Sequence, residues 1–386
     1  MKTKTLTTVL VAMTLTATLT AFAFLNRDKD KKIENEPTVT SDILAVAQTD
    51  TVSTTDRPET KTEPTKTEDP KPTTDKTAYW NSFTELQEMA NGQQTIDFKR
   101  AVFLVENAFH NGQLNYQEFT TKIAETGKKL KNMIVQKGLG AYKTAGNWAV
   151  FTYMTDSIPQ NNFQPYTYDF DDFMGDKNWT SMFVSKLMRT KSGNCHSMPT
   201  YYKILCNEIG ATAHLAIAPN HLYIKHKDEN GQWTNVELTN GGFPRDQWII
   251  KEMAISVEAI KNEVYMTPLT EKQDISMCLF DLATAYEWQY GHDEFELQII
   301  EEGLKYFPKC MPLLMAKSNY YSDIGLKAKE DPNADEAFLK ENLRKFKEVS
   351  DLIDNLGYKE MPIELYEEWV KSVKAEKQKR GITSNK

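Results

Sequence analysis

Cysteine and histidine are scarce, with four of the first and six of the second among 386 residues. The cysteines fall at 195, 206, 278 and 310, a spacing that forms no disulfide framework. No Cys-x-x-Cys or His-Glu-x-x-His pattern is present, so neither a metal nor a cofactor is expected. Basic charge is also in deficit. A formal net charge of −8 and a pI near 5.5, with no basic aromatic face, argue against nucleic acid as a partner.

The N-terminus differs from the rest of the chain. Leu6 to Leu25 carries no charge and follows the basic start Met1-Lys2-Thr3-Lys4. Residues 1–25 read as a secretory signal, with Ala21-Phe22-Ala23 as a small-x-small cleavage site, or as a single membrane anchor if uncut. No cysteine lies near enough for lipid attachment. The bulk of the chain is therefore expected outside the cytoplasm, periplasmic or extracellular, or tethered to the membrane. Residues 26–78 are rich in Thr, Asp, Glu, Lys and Pro and poor in large apolar side chains. Such a stretch buries too little apolar area to offset ordering and is expected to be a disordered tether.

The chemistry that is present centres on Cys195. The run Ser192-Gly193-Asn194-Cys195-His196-Ser197 leads into Met198–Ile209, where Met198, Tyr201, Tyr202, Leu205 and Ile209 recur with helical period and Gly210 supplies a stop. Pro199 is tolerated in a first turn, whose N–H groups have no intrahelical partner. A thiol at the positive end of a helix dipole is acidified, and the thiolate is the nucleophile. Cys206, mid-helix, reads as a small buried apolar group. The acyl-transfer oxyanion then meets backbone N–H groups at the helix start, with Asn178, Trp179, Asn194 and His196 as candidate donors or substrate-side groups.

Two strands, His221–Lys227 and Thr234–Thr239, flank an Asn230-Gly231 turn signal. A two-residue turn puts His221 and Glu237 on opposite faces. A three-residue loop, Glu229-Asn230-Gly231, pairs Tyr223 with Glu237 and leaves Glu237 diagonal to His221 on one face. His221 then acts as general base and acid toward Cys195, and Glu237 orients its ring. The catalytic reading demands the longer loop.

Gly193-Asn194-Cys195 at a helix start, His221 opening a strand and Gly231-x-Trp233-x-x-x-Glu237-x-Thr239 resemble the transglutaminase-like superfamily of papain-type folds. The resemblance spans roughly residues 140–250 and implies an α+β core with Cys195 as nucleophile, His221 as base and Glu237 as third member. That family's third member is usually Asp, so Glu237 departs from it by one methylene. Its members include cross-linkers, proteases, amidases and inactive relatives, so the fold leaves the reaction open. The expected activity is thiol-dependent hydrolysis or transfer at an amide of a peptide or protein. The alternative is a non-catalytic protein that binds a peptide or cell-wall partner. A metal reading of His196, His214, His221, His226 and Cys195 lacks ligand spacing, and His226 reads as solvated. The acidic run Asp169–Asp176 reads as a solvated loop.

Helical stripes flank this core. Residues 79–138 read as packing helices, Glu106 among them as a capping or solvated group; residues 139–265 hold the core. In 266–386, Leu282-Ala283-x-x-Tyr286 recurs as Ala316-Lys317-x-x-Tyr320, and Gly303-Leu304-x-x-Phe307-Pro308 closes the first unit. The tyrosines lie 34 residues apart, which resembles tetratricopeptide repeats and implies a groove for a protein partner. An ordinary helical buttress is the other reading.

Overall fold

This computed structural model describes residues 71–330 and 335–379. The signal or anchor and the tether up to residue 70 lie outside the described residues. Among the described residues no helix is long and apolar enough to cross a membrane. The chain is α+β and mostly helical.

Four helices come first: α1 (Thr77–Asn91), α2 (Phe98–Phe109), α3 (Tyr116–Gln136) and α4 (Ala145–Thr155). Asp97 and Asn115 cap α2 and α3 by accepting from Arg100 N and Glu118 N, each satisfying an N–H that the helix leaves open. The short parallel pair β1 (Thr167–Tyr168) and β2 (Ser192–Gly193) brackets α5 (Val184–Thr190). Next come α6 (Ser197–Ile209) and an antiparallel sheet of β3 (His214–Ala218), β4 (His221–Lys227) and β5 (Trp233–Val236). Two short helices, α7 (Asp246–Glu252) and α8 (Val257–Lys261), lead to the tail: α9 (Glu271–Tyr290), α10 (Glu294–Tyr306), α11 (Met311–Glu330), α12 (Glu336–Asn355) and α13 (Ile363–Lys379).

The core is built around α6. Ser197 through Cys206 is buried without a break, because the helix packs on α3, α4 and α5 on some sides and on β3 and β4 on another. Gly210 ends it with φ 79°, as the periodicity anticipated. Lys203 lies within this buried run. Its ammonium donates to Ala213 O at 2.9 Å and pairs with Asp274 of α9 at 3.1 Å, so the charge is compensated where it is desolvated.

The β4–β5 hairpin has the register Ile224↔Val236 to Lys227↔Trp233, extended by Asp228 N donating to Gln232 O at 2.8 Å. Three residues, Glu229-Asn230-Gly231, form the loop, and Gly231 takes φ 81°, a conformation that favours glycine. The Glu229 carboxylate fixes this loop to the start of α4, accepting from Thr144 N at 2.7 Å and Thr144 Oγ1 at 2.6 Å.

The tail forms two helical hairpins, α9 with α10 and α11 with α12, and α9 also packs on α1 and α2. Tyr286 of α9 meets the Tyr79 and Phe295 rings edge-on at 5.2 and 5.1 Å. Lys76 ion-pairs with Asp293 at 2.9 Å and lies 4.7 Å from the Tyr286 and Tyr290 ring centres. Lys76 and the start of α1, inside the stretch whose composition reads as tether, are thus packed on the tail.

Candidate active site

Gly193 and Asn194 set the approach to α6. A Cβ on Gly193 would stand 2.6 Å from Leu187 Cδ1 and 2.7 Å from Ser197 Oγ, so any side chain here would force Leu187 and Ser197 to shift. Asn194 Oδ1 accepts from His196 N and Ser197 N, both at 3.0 Å, and Asn194 N donates to Ser197 Oγ at 3.1 Å. This capping arrangement fixes the turn that presents Cys195, 8% exposed, to a cavity of about 470 Å³.

His221, the first residue of β4, has Glu237 and Cys195 as its charged and polar neighbours. Its Nε2 lies 2.6 Å from Glu237 Oε2, and the Cys195 thiol is near enough to act on the charge of its ring. The other Glu237 oxygen accepts from Thr239 N at 3.0 Å and Thr239 Oγ1 at 2.6 Å. Tyr223 lies nearly parallel to the His221 ring at 6.2 Å and 12°. Cys195, His221 and Glu237 thus form one line of interacting groups, with the hydrogen bond at its His221–Glu237 end.

Electrostatics in this line favour an ion pair. Burial opposes charge on His221, but the Glu237 charge, the hydrogen bonds to Cys195 and Glu237, and the Cys195 charge prevail and lift its pKa to about 10. Burial also opposes ionisation of Glu237, yet the His221 charge and hydrogen bond, with the Thr239 donors, hold it below the usual carboxylate range. Tyr168 of β1 is pushed well up by burial and by the charges of Cys195, Asp169 and Glu237. Its phenol therefore stays protonated, a neutral group beside the thiol.

The remaining candidates separate. His196 lines the cavity; its Nε2 is 2.9 Å from Asp281 Oδ1 of α9 and its Nδ1 is 3.1 Å from Met182 O. Burial opposes its charge, but Asp281 by charge and hydrogen bond, the Met182 carbonyl and Cys195 raise it to about 9. Trp179 also lines the cavity and stacks on Trp288 of α9 at 5.5 Å. Asn194 and Asn178 have side chains engaged in local turns. Asn194 is committed to capping, with Nδ2 on Phe173 O at 3.0 Å. Asn178 Oδ1 caps a short 3-10 turn by accepting from Thr180 N at 2.9 Å, and the residue is not part of the cavity wall.

Other expectations shift as well. His226 is buried in β4, with Nδ1 3.0 Å from Lys227 O, and burial lowers its pKa; it is not solvated. His214 is a strand histidine, bonded to Leu269 O at 3.0 Å. The acidic run is more than a solvated loop. Phe173, Met174 and Asp176 reach the cavity, and Asp169 is paired with Lys186 at 2.6 Å with both side chains largely covered. Glu106 caps α5, accepting from Val184 N at 2.7 Å and Ser185 N at 3.0 Å. It also reaches the cavity, and burial raises it to about 7 against those N–H groups and the His196 charge.

The far wall of the cavity comes from the tail, with Asp281, Glu287 and Trp288 of α9 and Met315 and Asn319 of α11 among its residues. No local signal near Cys195 marks these positions, because they reach the site through the packing of distant helices. The other three cysteines are buried, and burial pushes each thiol upward, Cys310 to about 12. No protein-family model matches the chain, and no curated protein matches it.

Proposed function

We propose that this chain is a thiol-dependent acyl-transfer enzyme acting on an amide of a peptide or protein, with a papain-like core of the transglutaminase-like kind. The observation that carries the reading is His221 held at 2.6 Å by Glu237, a carboxylate with both oxygens engaged, with the Cys195 thiol as the ring's other interacting neighbour. In this reading the Cys195 thiolate adds to the amide carbonyl, and the oxyanion forms near the start of α6 and the Tyr168 phenol. The His221 imidazolium gives its proton to the departing amine as the C–N bond breaks, leaving an acyl thioester and a neutral imidazole. Water or a second amine, deprotonated by His221, then attacks; the C–S bond breaks and the thiolate–imidazolium pair returns. Glu237 holds the ring and favours its charged form throughout.

The tail is read as a pair of tetratricopeptide-like hairpins whose α9 and α11 turn toward the core and close the chamber. Export follows from the N-terminal sequence, which also offers the membrane as a partner if the segment is uncut. The test is an activated acyl donor, a p-nitrophenyl ester, followed by intact mass. The reading predicts a burst of p-nitrophenol and an acyl group on Cys195, both lost in Cys195→Ala and slowed in His221→Ala. Acylation no faster than free cysteine, and indifferent to His221, would leave a non-catalytic binding protein.

A further inference from the structure

The turn joining α9 to α10 carries a cluster that the acyl chemistry does not use. Gly291, with φ 71°, breaks the helix and folds the chain back. Glu287 from the last turn of α9, His292, and Glu296 from the first turn of α10 thereby converge, one ligand atom from each lying within 4.8 Å of the others. His292 Nδ1 is 2.7 Å from Glu296 Oε2, and Nε2 is 3.5 Å from Glu287 Oε1 and 4.0 Å from Asp323 Oδ2 of α11. Lys327 pairs with Asp323 at 2.6 Å, and the Tyr320 ring meets the imidazole edge-on at 5.8 Å. Three carboxylates thus face one imidazole and one ammonium.

An independent observation points to a cation as a partner of this cluster. Glu296 is fully buried, and its Oε1 has no hydrogen-bond partner among the described residues. A desolvated carboxylate oxygen without a partner is costly, and native proteins rarely leave one unless an ion or ordered water completes it. The rest of the cluster supplies what an ion needs. Donor atoms of a tetrahedral site with bonds of about 2.0–2.1 Å stand about 3.3 Å apart, close to the 3.5 Å between His292 Nε2 and Glu287 Oε1.

We propose that Glu287, His292 and Glu296, with Asp323 beside them, form a binding site for a divalent transition-metal ion, best suited to Zn²⁺. One imidazole nitrogen with carboxylate oxygens favours Zn²⁺ over Mg²⁺ or Ca²⁺, which prefer all-oxygen shells. The ion bonds His292 Nε2 and Glu287 with Asp323 as the link to α11, while the buried Glu296 carboxylate, 2.7 Å from Nδ1, orients the ring and balances the ion's charge, so the end of α9 is tied to the start of α10. Because Glu287 also lines the cavity, the ion sits at its border and steadies the wall formed by the tail.

The test uses the untagged full chain carrying Cys195→Ala, so that the thiol–imidazole pair cannot compete for metal. After chelator treatment, ZnCl₂ is titrated calorimetrically, with MgCl₂ as control. The proposal predicts one equivalent of Zn²⁺, a higher melting temperature with Zn²⁺, and little response to Mg²⁺. Glu287→Gln and His292→Gln should each weaken binding at least tenfold. Glu287 is partly exposed, so Glu287→Gln should fold and carries the test alone if His292→Gln does not. No saturable Zn²⁺ binding, equal binding of Mg²⁺, or affinity unchanged in Glu287→Gln would overturn the proposal.

Discussion

The β4–β5 register ends at Ile224↔Val236, and Glu237, the next residue, pairs its backbone with Gly242 while its carboxylate reaches His221 at 2.6 Å. Its two Thr239 contacts leave the side chain little freedom. Glu237→Gln keeps an acceptor but removes the charge that holds His221 as imidazolium. Alkylation of Cys195 at neutral pH should then slow roughly tenfold or more, since one pKa unit on His221 corresponds to about 1.4 kcal/mol. A rate equal to wild type would remove Glu237 from the working line. Glu237→Ala leaves a buried imidazolium unpaired and should cost about 3–5 kcal/mol of stability, read from denaturant melts. Cys195, His221 and Glu237 were legible in the sequence because helix period and strand parity are local rules. Asp281 and Trp288 were not, since nothing near α6 announces which distant helix will pack over it.

At the scale of elements, the hairpin loop controls the site by parity. Side chains alternate faces along a strand, so shortening the loop by one residue turns one strand's inward set outward. Deleting Asn230 should therefore carry Glu237 away from His221. Thiol reactivity should fall at least to that of Glu237→Gln, and stability should fall as well because Val236 leaves the core. Retention of wild-type reactivity would show that the register does not set the geometry. The loop length was readable as a requirement of the chemistry; its anchoring by Glu229 to Thr144 was not, because that contact joins distant segments. Glu106 shows the same limit: its place in a helix was evident, but its partners come from α5.

For the whole molecule, the tail is structurally continuous with the rest: α9 packs on α1 and α2, and Asp274 compensates the buried Lys203 of α6. A repeat pattern can reveal paired helices, but it cannot tell which face turns inward. Buried titratable groups around the cavity also set a pH dependence. His196 is raised from 6.5 to about 9 and Glu106 from 4.5 to about 7, so the native state holds protons that the unfolded chain has released. Stability from both groups is full below their unfolded values and is lost as pH rises through the folded ones, by up to about 1.4 kcal/mol per pH unit for each proton. Glu237 acts oppositely, its contribution being lost as pH falls below the ordinary carboxylate range. Thermal melts at fixed ionic strength should therefore show a maximum near pH 5 and a decline of several degrees toward pH 9. In Glu106→Gln the part of that decline between pH 5 and 7 should flatten; a wild-type profile that rises over this range would contradict the assignment.

The most direct test of the thiol–imidazole pair is the rate of iodoacetamide labelling at neutral pH, followed by peptide mass mapping in wild type and in His221→Ala. Cys206, Cys278 and Cys310, buried in the folded chain, serve as internal controls. The pair predicts a single label on Cys195, added faster than to free cysteine and slowed by at least tenfold in His221→Ala. Equal rates in both proteins, or labelling at Cys195 no faster than at the buried thiols, would contradict it.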